Sequence, residues 1–595
     1  MNSKQKNNKP SSFMKSLYIR SFFKKYLVNY IFGIIALLIV DIAQTRVPII
    51  VGNVIDEIRS SNIEMTFVKT AILKLFAIAG TVYVGRILWR YFIFGTSRSI
   101  ERDIRNDMFS HLEKMSSTYY QQHGTGEIMA HMTNDLEAVR MALGPGILTL
   151  FDVIALGTIT IYNMVMEIDL KLTIVAVIPL LFIAVSVRLM GRELHERFSK
   201  KQEAFSDLSN FVQENLSGIK VIKSFIQEDK IIKSFEKCNK NTYDKNINLS
   251  KIQNLMHPFM QMISGLALAV AIGYGGYITI IGRITLGEFT AFIQYIGMLV
   301  WPMVATGMTI NLFTMGSASL DRVENILNAP VEIEDLEKSS DINSLTGTID
   351  VKNLSYKYPG TEKYVLNNIN FKVEKGQTLG IVGRTGCGKT TLVNLILRIF
   401  DVDKNSIFIG GQDILNIPLG VLRKNIGYVP QDNFLFSDSI ANNIDFGLRN
   451  SNIDEIIEAA KNADVHDNII EFKHGYDTII GEKGVSLSGG QKQRISIARA
   501  LIKQPEILIL DDSVSAVDTD TEEKILKNIK VNRVGKTNII IAHRISTIQN
   551  ADIIIVLEEG RIAEQGTHEQ LVQNKGLYNS IYEKQLLEKM LEEQD

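Results

Sequence analysis

Residues 378–391 read TLGIVGRTGCGKTT, and the fold of the second half of the chain follows from them. An apolar run, Leu379 to Val382, enters Gly383-x-x-x-x-Gly388-Lys389-Thr390, and a helical pattern with Leu392, Val393, Leu395, Ile396 and Leu397 follows. Strand, loop and helix in this order are the setting that a phosphate-binding P-loop requires. Glycines at 383, 386 and 388 let successive backbone N–H groups turn inward toward phosphates. Lys389 then reaches the β- and γ-oxygens of a nucleotide, and the Thr390 hydroxyl faces Mg²⁺. Gly383, Arg384, Thr385, Gly386, Cys387, Gly388, Lys389, Thr390 and Thr391 form the candidate nucleotide-binding stretch. Cys387 replaces no phosphate contact, because the loop works through its backbone there.

At 595 residues the chain exceeds one core, and two to four domains are expected. A net charge of −1 gives no global basic field, which argues against nucleic acid as the main partner. The two cysteines, Cys238 and Cys387, lie in segments of unlike character. They exclude a disulfide framework or thiolate metal site and fit a reducing cytosol. Hydrophobic residues make up 46% of the chain, and the long apolar runs all fall before about residue 315.

The first dozen residues, with Lys4, Lys6 and Lys9, read as a disordered basic tail, and Met14 to Tyr26 as a basic amphipathic helix on the cytoplasmic face. It is no cleavable signal, since the apolar run behind it is full length and lacks a small-residue cleavage site. Six segments are long enough to cross a bilayer: Tyr26 to Val51, Ala71 to Phe94, Leu148 to Met166, Leu172 to Leu189, Phe259 to Ile281 and Phe289 to Phe313. Short turns join the third to the fourth and the fifth to the sixth. The long connections carry Arg98, Arg102, Arg105, Lys114 and Arg140 in one case, and Arg192, Arg197, Lys200, Lys201, Lys220 and Lys223 in the other. The positive-inside rule therefore predicts a multi-pass protein of the cell membrane with both termini cytoplasmic and the Asp56-Glu57 loop outside. Without Pro- or Gly-rich breaks, the long connections read as helices that continue beyond the bilayer as stalks. Asp41, Gln44, Arg46, Lys74, Arg86, Arg90 and Asp152 lie within spans, where ionisable groups face a cavity or each other. Lys74 and Arg188 read as snorkelling side chains, Asp41 and Asp152 as candidate cavity walls. Trp301-Pro302 predicts a kink.

Val331 to Leu345 reads as a charged linker, after which short apolar strands alternate with helices, the pattern of an α/β domain of about 240 residues. The expected organisation is a tail and elbow helix over 1–25, a membrane domain over 26–325, a linker over 326–345, a nucleotide-binding domain over 346–585 and a tail over 586–595. Leu487-Ser488-Gly489-Gly490-Gln491 precedes a helix, so Ser488, Gly489, Gly490 and Gln491 form a second anion site at a helix N-terminus. Ile507 to Asp511 is an apolar strand ending in a carboxylate, the Walker-B arrangement that holds Mg²⁺ through water. Gln431 follows Tyr428-Val429-Pro430 in a loop, and the strand Asn538 to Ala542 ends at His543.

In this order the motifs resemble those of ABC exporter half-transporters, and the resemblance covers essentially the whole chain after its tail. It implies a membrane all-α six-helix exporter domain followed by an α/β P-loop NTPase domain, with ATP and Mg²⁺ as cofactors. Tyr358 matches the aromatic that stacks on adenine. Gln431 matches the Q-loop, which with Thr390 and Asp511 serves Mg²⁺. Gly481 to Gly484 match the exporter X-loop, Ser515 to Asp518 the D-loop, and His543 the switch histidine. Tyr119 to Gly126 and Glu214 to Lys223 match the regions of the two coupling helices. The resemblance further implies a second half-transporter as partner, a lipid bilayer, and export of small hydrophobic or amphipathic compounds of multidrug type. Lipid flipping, peptide export and a homodimer remain alternatives. A cytosolic ATPase of DNA-repair type is excluded by the six spans and missing coiled coils. One position departs from the family: the residue after the Walker-B aspartate, normally the catalytic glutamate, is Asp512.

Overall fold

A computed structural model describes residues 13, 16–59, 65–335, 344–448, 450–481 and 487–592. The lysines of the N-terminal tail, residues 60–64, the middle of the linker, residues 482–484 of the X-loop match and the last three residues lie outside it. The chain forms two compact units, one of residues 1–113 with 125–329, the other of residues 114–124 with 330–595.

The first unit is all helix. Helix Leu17–Lys25 is capped by Ser16, whose hydroxyl accepts from the Ile19 amide, and it buries Ile19 and Phe22. Leu27–Arg59, Met65–Leu112, Thr125–Glu167, Glu228–Ile280 and Leu286–Leu327 are each long and apolar enough to cross a membrane. The expected span Leu172 to Leu189 falls on the 48-residue helix Leu170–Ser217, apolar over Leu170–Leu180, beyond which several side chains, that of Arg188 included, lie outside the described residues. Helix Leu286–Leu327, of 42 residues, runs through Pro302 as one helix and starts from a Thr285–Glu288 capping box. Helices of this length outreach a bilayer, since about 20 residues suffice to cross one.

Apolar faces set the packing: Phe292, Tyr295 and Leu299 lie against Leu172, Ala176 and Ala267 in one buried cluster. Where the first and last spans meet, the backbones touch. A Cβ on Gly287 would stand 2.1 Å from the Gly52 carbonyl oxygen, so only glycine permits this approach. The short turns are tied at the same end. Asp56 accepts from the Gly287 amide at 2.7 Å and from the Thr285 hydroxyl at 2.5 Å, and Arg283 pairs with Asp169 at 2.9 Å.

The second unit is built on two sheets. Strands β1 (Ile349–Tyr356), β2 (Leu366–Val373), β4 (Ile407–Ile409) and β5 (Gln412–Asp413) form an antiparallel sheet in the order β2-β1-β4-β5. Strands β3 (Thr378–Gly383), β6 (Ile426–Val429), β7 (Ile507–Asp511), β8 (Thr537–Ile541), β9 (Ile553–Glu558) and β10 (Arg561–Gly566) form the second, ordered β10-β9-β3-β8-β7-β6. It is parallel except for the β9–β10 edge. Every residue of β7 and β8 is buried, which is why these strands read as unbroken apolar runs. The carboxyl ends of β3, β7 and β8 lie side by side, and in open parallel sheets that edge is where ligands bind.

Residues 114–124 join this unit although they lie between two membrane helices in sequence, so the unit cuts across the 26–325 span expected for the membrane domain. Helix Ser117–Gln122 is capped by Ser116, whose hydroxyl also donates to Glu332 at 2.5 Å. The linker is stitched down in turn: the buried Arg398 guanidinium donates to the Glu334 carbonyl at 2.9 Å, and Asp335 accepts from the Leu419 amide at 2.7 Å.

Candidate functional site

The loop after β3 is shaped by its glycines. Gly386 and Gly388 have φ of +82° and +104°, the left-handed region that favours glycine. At Gly383 a Cβ would stand 2.3 Å from the Leu557 carbonyl oxygen, and at Gly388 it would stand 2.7 Å from Leu366 Cδ2. The loop is therefore packed closely against β2 and β9. Lys389 opens helix Lys389–Ile396 and is buried, its ammonium donating to the carbonyls of Gly383 at 2.8 Å and Arg384 at 3.2 Å. Those two bonds hold the cation over the mouth of the loop. Cys387 is buried beside it, with Sγ 4.0 Å from Nζ.

Thr391 supplies a contact absent from the sequence reading. Its Oγ1 lies 3.0 Å from the Tyr358 hydroxyl. The Tyr358 ring also packs edge-on against Tyr356 and Phe400, with centroids 5.3 and 5.4 Å apart. A cavity of about 330 Å³ opens here, lined by Tyr358, Tyr356, Phe400, Glu332 and the helix residue Thr118 among others. The candidate adenine platform is thus fixed to the P-loop helix through one hydroxyl pair.

β7 delivers Asp511, 1% exposed, with Oδ2 making no hydrogen bond. Burial pushes its carboxyl above the usual range and the Asp512 charge adds to this, while a Thr390 hydrogen bond and the charges of Lys389 and His543 oppose it. An orphaned carboxylate oxygen beside a threonine hydroxyl is a hard-oxygen donor set, and it fits Mg²⁺. Asp512 follows at φ +48°. Its amide donates to the Ile541 carbonyl at 2.9 Å and its carbonyl accepts from the Ser515 hydroxyl at 3.0 Å. Gln431 stands on the loop after β6, next to β7 in the sheet, and both it and His543 are exposed.

Ser488 caps helix Gly489–Leu501 in a reciprocal box: its hydroxyl accepts from the Gln491 amide at 3.2 Å, and its own amide donates to the Gln491 side chain at 3.0 Å. Gln491 is thus occupied by the cap, and the amides of Gly489 and Gly490 are what the helix end offers a ligand. Gln493 was not legible as functional. Only 5% exposed, it accepts from the Ala516 amide at 3.0 Å and ties this helix to the D-loop match. Its one sequence signal is an amide in the buried register of a helix.

In the first unit Asp41 is 2% exposed and its Oδ2 has no hydrogen-bond partner. It lies on the buried face of its helix, shared with Leu37, Val40 and Thr45. Asp152 is half-buried. Arg86 donates to Gln44 at 3.5 Å, Arg46 pairs with Glu167 at 2.8 Å, and Arg90 sits over the Trp89 ring at 5.4 Å. Lys74 is exposed.

A glycine-built phosphate loop fused to a six-helix membrane unit defines the ATP-driven membrane transporters. Residues 30–303 match the ABC transporter transmembrane region and residues 366–515 the ABC transporter family model, and the chain belongs to the ABC transporter family, in its exporter branch. It is 40% identical over 566 residues to "Probable multidrug resistance ABC transporter ATP-binding/permease protein YheI" of Bacillus subtilis (strain 168), covering 95% of this chain and 97% of that one. It is 33% identical to the ATP-dependent lipid A-core flippase of Syntrophus aciditrophicus (strain SB), over 93% of this chain and 92% of that one. The structure of a bacterial Atm1-family ABC exporter with ATP bound superposes with a TM-score of 0.77 at 26% identity, covering 95% of this chain and 98% of that one.

Proposed function

We propose that the chain exports amphipathic or hydrophobic compounds of multidrug type, as one half of a heterodimer. The observation that carries the ATP-driven part of this reading is the loop at the end of β3, where Lys389, Thr390 and the orphaned Asp511 carboxylate are neighbours, and the heterodimer part rests on Asp512 in place of the family's glutamate. Full-length multidrug relatives support the substrate class, and the sequence also resembles the BmrC half of the bacterial multidrug exporter BmrCD. In this reading the loop amides and Lys389 would hold the ATP phosphates, and Thr390, Asp511 and Gln431 would hold Mg²⁺, whose charge would offset that of the phosphates. Ser488 to Gln491 serve the ATP on the partner's P-loop. ATP bridges the two domains, its binding favours their closure, and hydrolysis releases them. The test is ATPase activity and transport by the reconstituted protein, alone and with candidate partner halves, across hydrophobic cations, lipids and peptides. The flippase relative favours a second reading, a lipid substrate, and stimulation by lipids alone selects it.

Tyr358 is assigned to adenine. Tyr358→Ala is expected to weaken ATP binding by about 1 kcal/mol of lost stacking, read by equilibrium titration with MgATP. Tyr358→Phe keeps the ring and loses only the bond to Thr391, so it should bind nearly as well as wild type. Equal losses in the two variants would assign the hydroxyl, not the ring, to binding.

The topology is proposed with both termini cytoplasmic. Support comes from the basic long connections and from the bonds that gather Asp56, Asp169, Arg283 and Gly287 at one end. Cysteine labelling of intact cells should reach position 56 from outside and fail at position 200. Labelling at 200 overturns the orientation.

A further inference from the structure

We propose that Gln585 is the positioning residue for His543, an inference that rests on reading His543 as the group that senses the γ-phosphate. β8 ends at Ile541 and the next helix begins at Ile545, so His543 is carried on a short loop between them. A helix start leaves amides without intrahelical partners, and Ser, Thr, Asp or Asn before it ordinarily takes one of them. Here the capping position is Arg544, whose side chain makes no such bond. Gln585 does this instead, from 40 residues further along the chain. Its Oε1 accepts from the Ile545 amide at 2.9 Å, and its Nε2 donates to the His543 carbonyl at 2.7 Å. One planar amide therefore fixes two backbone groups on either side of Arg544. The His543 ring is left exposed, two residues beyond Ile541, which pairs with Asp511 in the sheet.

Gln585 lies on the C-terminal helix Leu577–Glu592, which is anchored by the fully buried Tyr578, its hydroxyl 2.7 Å from His568 Nδ1. A second tie reaches the same loop from another side. Glu522, 4% exposed, accepts from the Thr547 hydroxyl, and Arg544 lies 3.4 Å from it. Those contacts are made by side chains, one from the helix that follows and one from its capping residue. Ala542 is tied to β3 through the Ile381 carbonyl at 3.2 Å, and the carbonyl of His543 itself is held by Gln585. A group that meets a terminal phosphate must be held to within a fraction of an ångström to act, and this amide provides the restraint.

The experiment uses the full-length chain in lipid nanodiscs, with equilibrium binding of MgATP and of MgADP as separate probes. ADP lacks the γ-phosphate, so a fault in His543 alters ATP binding alone, whereas a general fold defect alters both. Gln585→Met keeps the length and removes both hydrogen bonds. It should lower ATP affinity about tenfold, as expected for losing a hydrogen bond to a charged group, and leave ADP affinity unchanged. His543→Ala should do the same, and the double variant should be no worse than His543→Ala alone, because the two act as one unit. Gln585→Lys retains a donor for the His543 carbonyl and should recover part of the loss. A Met variant that leaves ATP and ADP binding untouched, or weakens both alike, overturns the proposal while the histidine assignment stands. If His543→Ala itself leaves the preference for ATP over ADP unchanged, the sensor reading fails and the proposal falls with it.

Discussion

Lys389→Ala is expected to lower the affinity of the full-length chain for MgATP by about tenfold to a hundredfold and to abolish transport. A charge-assisted hydrogen bond to a phosphate is worth about 1.5–3 kcal/mol, which corresponds to that range. Geometry adds a second contribution. The ammonium is only 8% exposed and bridges the Gly383 and Arg384 carbonyls, so it shapes the loop besides contacting ligand. Lys389→Met keeps most of the side-chain volume and removes the charge together with both carbonyl bonds. If the ammonium and its bonds dominate, Met and Ala lose affinity equally; if packing of the buried stem also contributes, Met retains more. The membrane unit should be unaffected in both, which size-exclusion behaviour and helical circular dichroism of the purified protein would report. Unchanged ATP affinity in either variant would contradict the role given to the loop.

Local chemistry explains what could be read in advance. Gly386 and Gly388 are required by left-handed backbone angles, and such a requirement is written in the residues themselves. The spans were legible because hydrophobic length is a property of a contiguous segment. What escaped depended on distant partners. Tyr119 to Gly126 were marked only by the resemblance to coupling helices, because composition and periodicity do not assign residues 114–124 to the second unit, and Ser116 meets Glu332 across 216 positions. Gln493 and Gln585 act through backbone groups of other segments, and a backbone amide leaves no sequence signature. Asp41 was expected on a cavity wall. The helix periodicity that buries Leu37 and Val40 also carries it onto the buried face of that helix.

Turnover by the chain alone is expected to be slight, and with its partner present Asp512→Asn should cost far less than Glu→Gln at the partner's matching position. Aspartate is one methylene shorter than the glutamate usual here, which withdraws the carboxylate by about 1.5 Å. Misplacement of about 1 Å can cost on the order of a hundredfold in rate. The main chain has little room to compensate, because the Asp512 amide is bonded to Ile541 and its carbonyl to the Ser515 hydroxyl. The backbone angle of +48° is one that aspartate adopts more readily than most residues, so the shorter side chain suits the turn while it shortens the reach. The site built on this P-loop is therefore expected to hold ATP and hydrolyse it poorly. The Ser488–Gln491 cap is complete, and in a head-to-tail pair it would serve the partner's ATP, so one half contributes an intact signature to the other half's competent site. Asp512→Glu provides the converse test. Restoring the methylene should raise turnover at this site on the order of tenfold, less than the full deficit because glutamate is a poorer fit to the left-handed backbone. Steady-state phosphate release by the reconstituted pair, with the partner's glutamate replaced by glutamine to silence its site, measures that gain directly. Robust turnover by the chain alone, abolished by Asp512→Asn, would mean instead that the aspartate is competent and the chain works as an active homodimer.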